Sequence, residues 1–298
     1  MGLIRFRSFA TAAALVAVAL APRVACAQSF DDLIKKGRAQ LDSGKADDAV
    51  KTFENAVKAN PQSPEGHYQL GRALGDVAQR ASVLRQPFLA RRVKSEWEKT
   101  VEIDPGHLGG HDGLMEFYLR APGVMGGGVG KALEQAAAIA KLNPLRGYFA
   151  NATIANHEKD LAGAEKAYRS AATEFPDSAS TMSSLASFLS NNNRAEEAFP
   201  IIDRYLAKRP NDRLGTWWIG RTAAVSGKQL DRGEQALLTI LSQPEVENNI
   251  KIARENVHFR LGEIYAKRGD KPKARAEYEE ALKINPKLEP AKKALAAL

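Results

Sequence analysis

RENVHFRLGEIYAKRGDKPKARAEYEEALKINP, residues 254–286, reads as two helical runs and a stop. Gly262 lies in the first run and Gly269 in a turn. Ala274, Tyr278 and Ala281 recur on one face of the second run, and Pro286 ends it. Near the other end FDDLIKKGRAQLDSGKADDAVKTFENAVKANP, residues 30–61, repeats the order as Gly37, Gly44, Ala49, Phe53, Ala56 and Pro61. Each type has a physical task. A small residue lets the first helix approach the second closely. The aromatic fills the gap left to the next helix. Gly or Asn accepts a left-handed turn. Pro cannot continue the second helix.

Working outward, Pro61, Pro105, Pro144, Pro176, Pro210, Pro244 and Pro286 stand 44, 39, 32, 34, 34 and 42 residues apart. The series returns as Ala152, Ala164, Tyr168, Ala171 and Pro176, and as Ala186, Ala198, Ile202 and Pro210. A 34-residue step with these residues resembles the tetratricopeptide repeat (TPR) family. The resemblance covers essentially all of residues 30–286. It implies an all-α, right-handed superhelical solenoid of about seven helix pairs, because each pair alone leaves an apolar face uncovered. The units fall at about 30–61, 64–105, 106–144, 145–176, 179–210, 213–244 and 255–286, with 287–298 as a capping helix. The sixth unit departs from the pattern, with Arg232 where a small residue is usual.

Two units carry insertions. The second has about ten extra residues before Trp97, rich in cations: Arg80, Arg85, Arg91, Arg92 and Lys94. The third has about seven, in the loop Ala121-Pro122-Gly123-Val124-Met125-Gly126-Gly127-Gly128. Insertions in repeats map to loops on one face, often the binding face. The glycine loop is also similar to one in TPR proteins associated with periplasmic TRAP-type solute transporters. The basic insertion Arg80–Lys94 suits an acidic partner or a membrane of anionic lipid, or is a solvated face.

The chain has 298 residues, 44% hydrophobic and 26% charged, a balance that excludes global disorder. Residues 1–27 read as a cleavable signal peptide. Arg5 and Arg7 lead, Phe9 to Ala21 is a short apolar stretch, and Ala25-Cys26-Ala27 precedes Gln28. A periplasmic or secreted protein follows, cut after Ala27. Loss of Arg5, Arg7 and Arg23 takes 43 basic residues to 40 against 35 acidic, a charge of +5 that argues for no nucleic-acid partner. Cys26, the one cysteine, would be the lipidated residue of a lipoprotein, but Arg23 does not fit such a box. Maturation leaves neither disulfide nor thiol chemistry.

No enzyme is expected. Gly126 to Lys131 superficially suggests a phosphate loop, but Met125 stands where the first Gly belongs and Ala132 follows the Lys. His107 and His111 have a spacing that suits a metal on a helix; Gly109-Gly110 between them argues for solvated or capping roles. Gly-x-Ser-x-Gly and Ser-x-x-Lys are absent. No cofactor or metal is called for.

What remains is the groove. In TPR proteins that bind extended peptides the first helix of each pair lines the inner surface. Matched to this sequence, one recurring position is Ile34, Tyr68, Gly110, Phe149, Ser183, Trp217 and Phe259. The next is Arg38, Arg72, Leu114, Thr153, Ser187, Arg221 and Glu263, and a third adds Arg146 and Asn256. Aromatics and arginines are what binding hot spots favour. The expected site is therefore Tyr68, Arg72, Arg146, Phe149, Trp217, Arg221 and Phe259. The same aromatics at the same spacing also suit core packing. Of Trp217 and Trp218, about 100° apart on a helix, one belongs to the core. The expected function is an exported scaffold binding a partner protein or extended peptide of the envelope. The alternative is a small-ligand-binding or transporter-accessory TPR protein.

Overall fold

A computed structural model describes residues 29–247 and 250–298. The leader expected at 1–27, with Cys26, lies outside them. The fold is an all-α solenoid of seven consecutive helix pairs. These are α1 (Phe30–Asp42) and α2 (Ala46–Ala59), α3 (Pro64–Arg80) and α4 (Gln86–Ile103), α5 (Leu108–Arg120) and α6 (Val129–Leu142), and α7 (Pro144–His157) and α8 (Leu161–Glu174). Then come α9 (Ala179–Asn191) and α10 (Phe199–Lys208), α11 (Arg213–Ser226) and α12 (Leu230–Ser242), and α13 (Arg254–Lys267) and α14 (Lys271–Ile284). A last helix, α15 (Glu289–Ala296), buries Ala291 against the end of the stack. A ribbon of two short strands, Val246–Glu247 and Ile250–Lys251, joins α12 to α13.

The boundaries follow from local chemistry. Ser29, Ser63, Asn143, Asp160, Asp212 and Asp270 cap helix starts, each side chain accepting a backbone N–H of the first turn. The turn inside a pair needs one left-handed residue. It is Gly44, Lys159, Asn193, Gly227 and Gly269 in five units, with φ of 73°, 60°, 60°, 74° and 79°. Each stands seven residues after the small residue of its first helix. Lys159 holds this conformation at a cost that glycine avoids.

Close approach is equally specific. A Cβ on Gly37 would lie 2.4 Å from the Phe53 ring, and one on Gly262 2.4 Å from the Tyr278 ring. Both aromatics follow their glycine by 16 residues and are buried. In the second unit Trp97 sits 2.5 Å from the Cβ position of Gly71, 26 residues on, so the ten-residue insertion lengthens α3 and α4 without disturbing the contact. The sixth unit corrects the sequence reading. Gly233, not Arg232, is the small residue, packed against Ala223 and Ile264. Gln229, itself left-handed at φ 51°, adds one residue to the turn and shifts the register. Arg232 then points outward to Asp203.

The histidines tie units together. His67 faces Glu96 at 2.6 Å and the Pro61 carbonyl at 3.0 Å; His111 faces Gln135 at 2.7 Å and the Pro105 carbonyl at 3.0 Å. Thr181 does the same, donating to the Phe175 carbonyl at 2.9 Å. His107 caps α5, accepting from Gly110 N–H. His107 and His111 thus serve the fold separately, and no group of three or more metal-ligating residues occurs among the described residues.

The buried core falls into two clusters. One runs from Leu33 to Ile154, the other from Ala164 to Ala291. They meet at α7 and α8, where buried contacts are made largely by Ala152, Ala164, Ala167 and Ala171.

Candidate binding site on the first-helix face

The expected site residues form two separate groups with Phe149 and Arg146 between them in sequence. On α3, Tyr68 is half-buried, its ring 4.8 Å from that of His107. The Arg72 guanidinium lies 5.9 Å over Tyr68, and Arg72 donates to Gln69 Oε1 at 3.1 Å. Arg72 is exposed and has no ion pair among the described residues.

On α7, Arg146 pairs with Asp112 of the preceding unit. Burial pushes the Asp112 carboxyl up despite that cation. Phe149 is half-buried and turns to its own pair, its ring 6.4 Å from Tyr168.

The second group is built on α11 and α13. Trp218 is buried, while Trp217 is half-buried at the core's edge. The Arg221 guanidinium lies 4.5 Å over the Trp218 ring, within cation–π range. It donates to a neutral partner, Ser190 Oγ, at 3.5 Å. Burial lowers the Arg221 pKa, and the positive Arg260 lowers it further; Glu263 opposes this, but Glu263 is held by Arg260 at 2.6 Å. Arg221 is thus a half-buried cation over an indole, beside the Arg260–Glu263 ion pair.

Phe259 requires a correction. It is 8% exposed, with its ring 5.9 Å from Tyr278, so it belongs to the core of the last unit rather than to a surface. Ile34, Gly110 and Leu114 are likewise closed off. The sequence reading also missed a feature. A cavity of about 520 Å³ opens where the extended α3 and α4 overhang the end of α5 and the glycine loop; Ala78, Val83, Pro87, Trp97, Phe117 and Met125 are among its walls.

The tetratricopeptide repeat family models match residues 34–78 and 255–288. The sequence matches no curated protein. Among solved structures, the chain is similar to a tetratricopeptide repeat protein from Parabacteroides merdae, at 14% identity and a TM-score of 0.53, covering 90% of this chain and 97% of that one. It is also similar to a chain of the APC/C hetero-tetramer Cut9-Hcn1, at 15% identity and a TM-score of 0.52, covering 90% of this chain and 49% of that one. At such identities the likeness is one of fold. With repeat models matched at both ends and the likeness of fold along its length, the chain has the fold of a tetratricopeptide-repeat solenoid.

Proposed function

We propose that this chain is an exported, non-catalytic scaffold whose first-helix face holds a partner protein or extended peptide bearing carboxylates. One observation carries the reading. Arg72 and Arg221 each lie over an aromatic ring and hydrogen-bond to a neutral side chain, while Arg38, Arg146 and Arg260 on the same face are paired to carboxylates. A guanidinium held flat by a ring keeps its donors free to fork onto a carboxylate. Trp217 beside Arg221 supplies apolar area, as hot spots do. Hydrogen bonds to charged groups contribute about 1.5–3 kcal/mol each, so one lost fork weakens binding roughly tenfold or more.

The test is a cross-linking capture from an envelope extract, comparing wild type with Arg72→Gln/Arg221→Gln and with Trp217→Ser. Each variant is checked for an unchanged helical spectrum. Capture by wild type and loss with both variants supports the face; equal capture by all three refutes it. Export is tested by N-terminal sequencing from cell fractions. A start at Gln28 in the periplasm or medium is expected, and an intact Met1 in the cytoplasm refutes it.

A further inference from the structure

The two insertions meet around the cavity beneath α3 and α4, and three observations define what that cavity suits. It is apolar and of ligand size: about 520 Å³, against roughly 300–1,000 Å³ for small-molecule sites. The chain beside it is apolar too: Val83, a wall residue, and Leu84 and Phe88 are exposed by 80, 84 and 69% at the turn and the start of α4. Single exposed apolar residues need no explanation; three within six positions beside an apolar cavity do.

Charge supplies the third. Between Asp76 and Glu96 the chain carries Arg80, Arg85, Arg91, Arg92 and Lys94 and no carboxylate. Arg92 is used by Glu54 and Lys94 by Glu98, and Arg80 donates to the carbonyls of Asp76 and Gly44. Arg85 and Arg91 have no ion pair among the described residues; each is the neighbour in sequence of a wall residue, Gln86 and Ala90, while the cation in the wall itself is Arg120. Glu116, the carboxylate in the wall, is taken by Arg120. An inorganic anion would leave the apolar wall unused, and a neutral hydrocarbon would leave the cations unused.

We propose that this cavity binds a long-chain monoacyl anion, a fatty-acid-like carboxylate, with the chain against Trp97 and Phe117 and the head at Arg85 and Arg91. This site is separate from the Arg72 and Arg221 surface and stands without it.

The probe is palmitate, titrated calorimetrically into the full chain below the concentration at which it aggregates. Gly75 lies in the wall, and a Cβ there would meet nothing within 4 Å. Gly75→Phe therefore fills the cavity without a backbone clash. Saturable binding by wild type, weakened tenfold or more in Gly75→Phe, is expected. Arg85→Gln/Arg91→Gln should weaken palmitate while leaving 1-hexadecanol unchanged. As a check that needs no cavity-filling variant, dibromostearate should quench Trp97 in a Trp217→Phe/Trp218→Phe chain. Absence of saturable palmitate binding, equal binding by a folded Gly75→Phe, or unquenched Trp97 overturns the proposal. Equal sedimentation of wild type and Gly75→Phe with phosphatidylglycerol vesicles, without palmitate binding, overturns it in favour of a bilayer-facing surface.

Discussion

Gly262→Ala tests the contact on which the repeat rests. In open helix the change is favourable by about 1 kcal/mol, because alanine orders at less entropic cost. Here the new methyl would sit 2.4 and 2.5 Å from Tyr278 ring carbons, an ångström short of ordinary contact. The ring has little room to move: it is buried, and the Phe259 ring of the same first helix packs 5.9 Å from it. Forcing a methyl into a closed core costs about 1–3 kcal/mol, and a 2.4 Å approach belongs at the upper end, so after the helix gain of about 1 kcal/mol the net loss is up to about 2 kcal/mol. Gly75→Ala is the control. It is helical too, with nothing within 4 Å of its Cβ, so it should gain about 0.5–1 kcal/mol. The same substitution thus carries opposite signs at two sites. Urea titration followed by helical circular dichroism measures both, and the variants should bracket wild type. If Gly262→Ala unfolds at or above the wild-type midpoint, close helix approach is not what fixes the pair, and the reasoning fails.

The remaining expectations are briefer. Lys159→Gly should stabilise by about 1 kcal/mol, read as a raised urea midpoint, since glycine takes φ 60° without strain; no gain refutes a strained turn. Phe259→Ser should cost about 3 kcal/mol or more and Trp217→Ser clearly less, because the first empties core and the second an edge; equal losses would return Phe259 to a surface role. Arg194, then Arg169, hold the Glu165 carboxyl below the ordinary range by hydrogen bonding, so their contribution is present above the unfolded carboxylate pKa and lost as pH falls through the folded one. Glu165→Gln should flatten the acid limb of a melting-temperature profile, and an unchanged limb counts against the network. Because the buried core divides at α7 and α8, Trp97 fluorescence in a Trp217→Phe/Trp218→Phe chain should report a urea midpoint different from that of Trp217 and Trp218 in Trp97→Phe; coincident midpoints would show a single cooperative unit.

Much of the fold is legible because the repeat writes its contacts as fixed intervals. Gly37 to Phe53 and Gly262 to Tyr278 are equal, and the interval from Gly71 to Trp97 is longer by the inserted length. Register is legible only while the turn length holds. One extra left-handed residue, Gln229, moved the small position to Gly233, and nothing in local composition announces such a residue. Phe259 was misplaced for another reason. Helical spacing puts it in line with Tyr68 and Trp217, but whether an inward aromatic meets solvent or a ring is decided by its neighbour, here Tyr278. The cavity was illegible as a whole because its walls come from two insertions some forty positions apart. Its one readable trace was Val83-Leu84 inside a run of cations.

The arginines suggest why sites arise where they do. Along the solenoid they commonly bridge one unit to the next: Arg38 to Glu65, Arg146 to Asp112, Arg194 to Glu165, Arg232 to Asp203, and Arg268 to Glu234. Exposed pairs of this kind contribute little each, about 0–1 kcal/mol. What they do is neutralise charge where two units meet. Arg72, Arg209 and Arg221 stand outside such pairs, each over an aromatic ring, and Arg85 and Arg91 stand outside them in the insertion of the second unit. An uncommitted guanidinium in water is unremarkable. One stacked on indole and half-buried, as Arg221 is, has already lost part of its hydration, so a carboxylate arriving there would have less left to displace. The repeat accounts for the frame, and both proposed sites lie where its pairing lapses beside apolar surface.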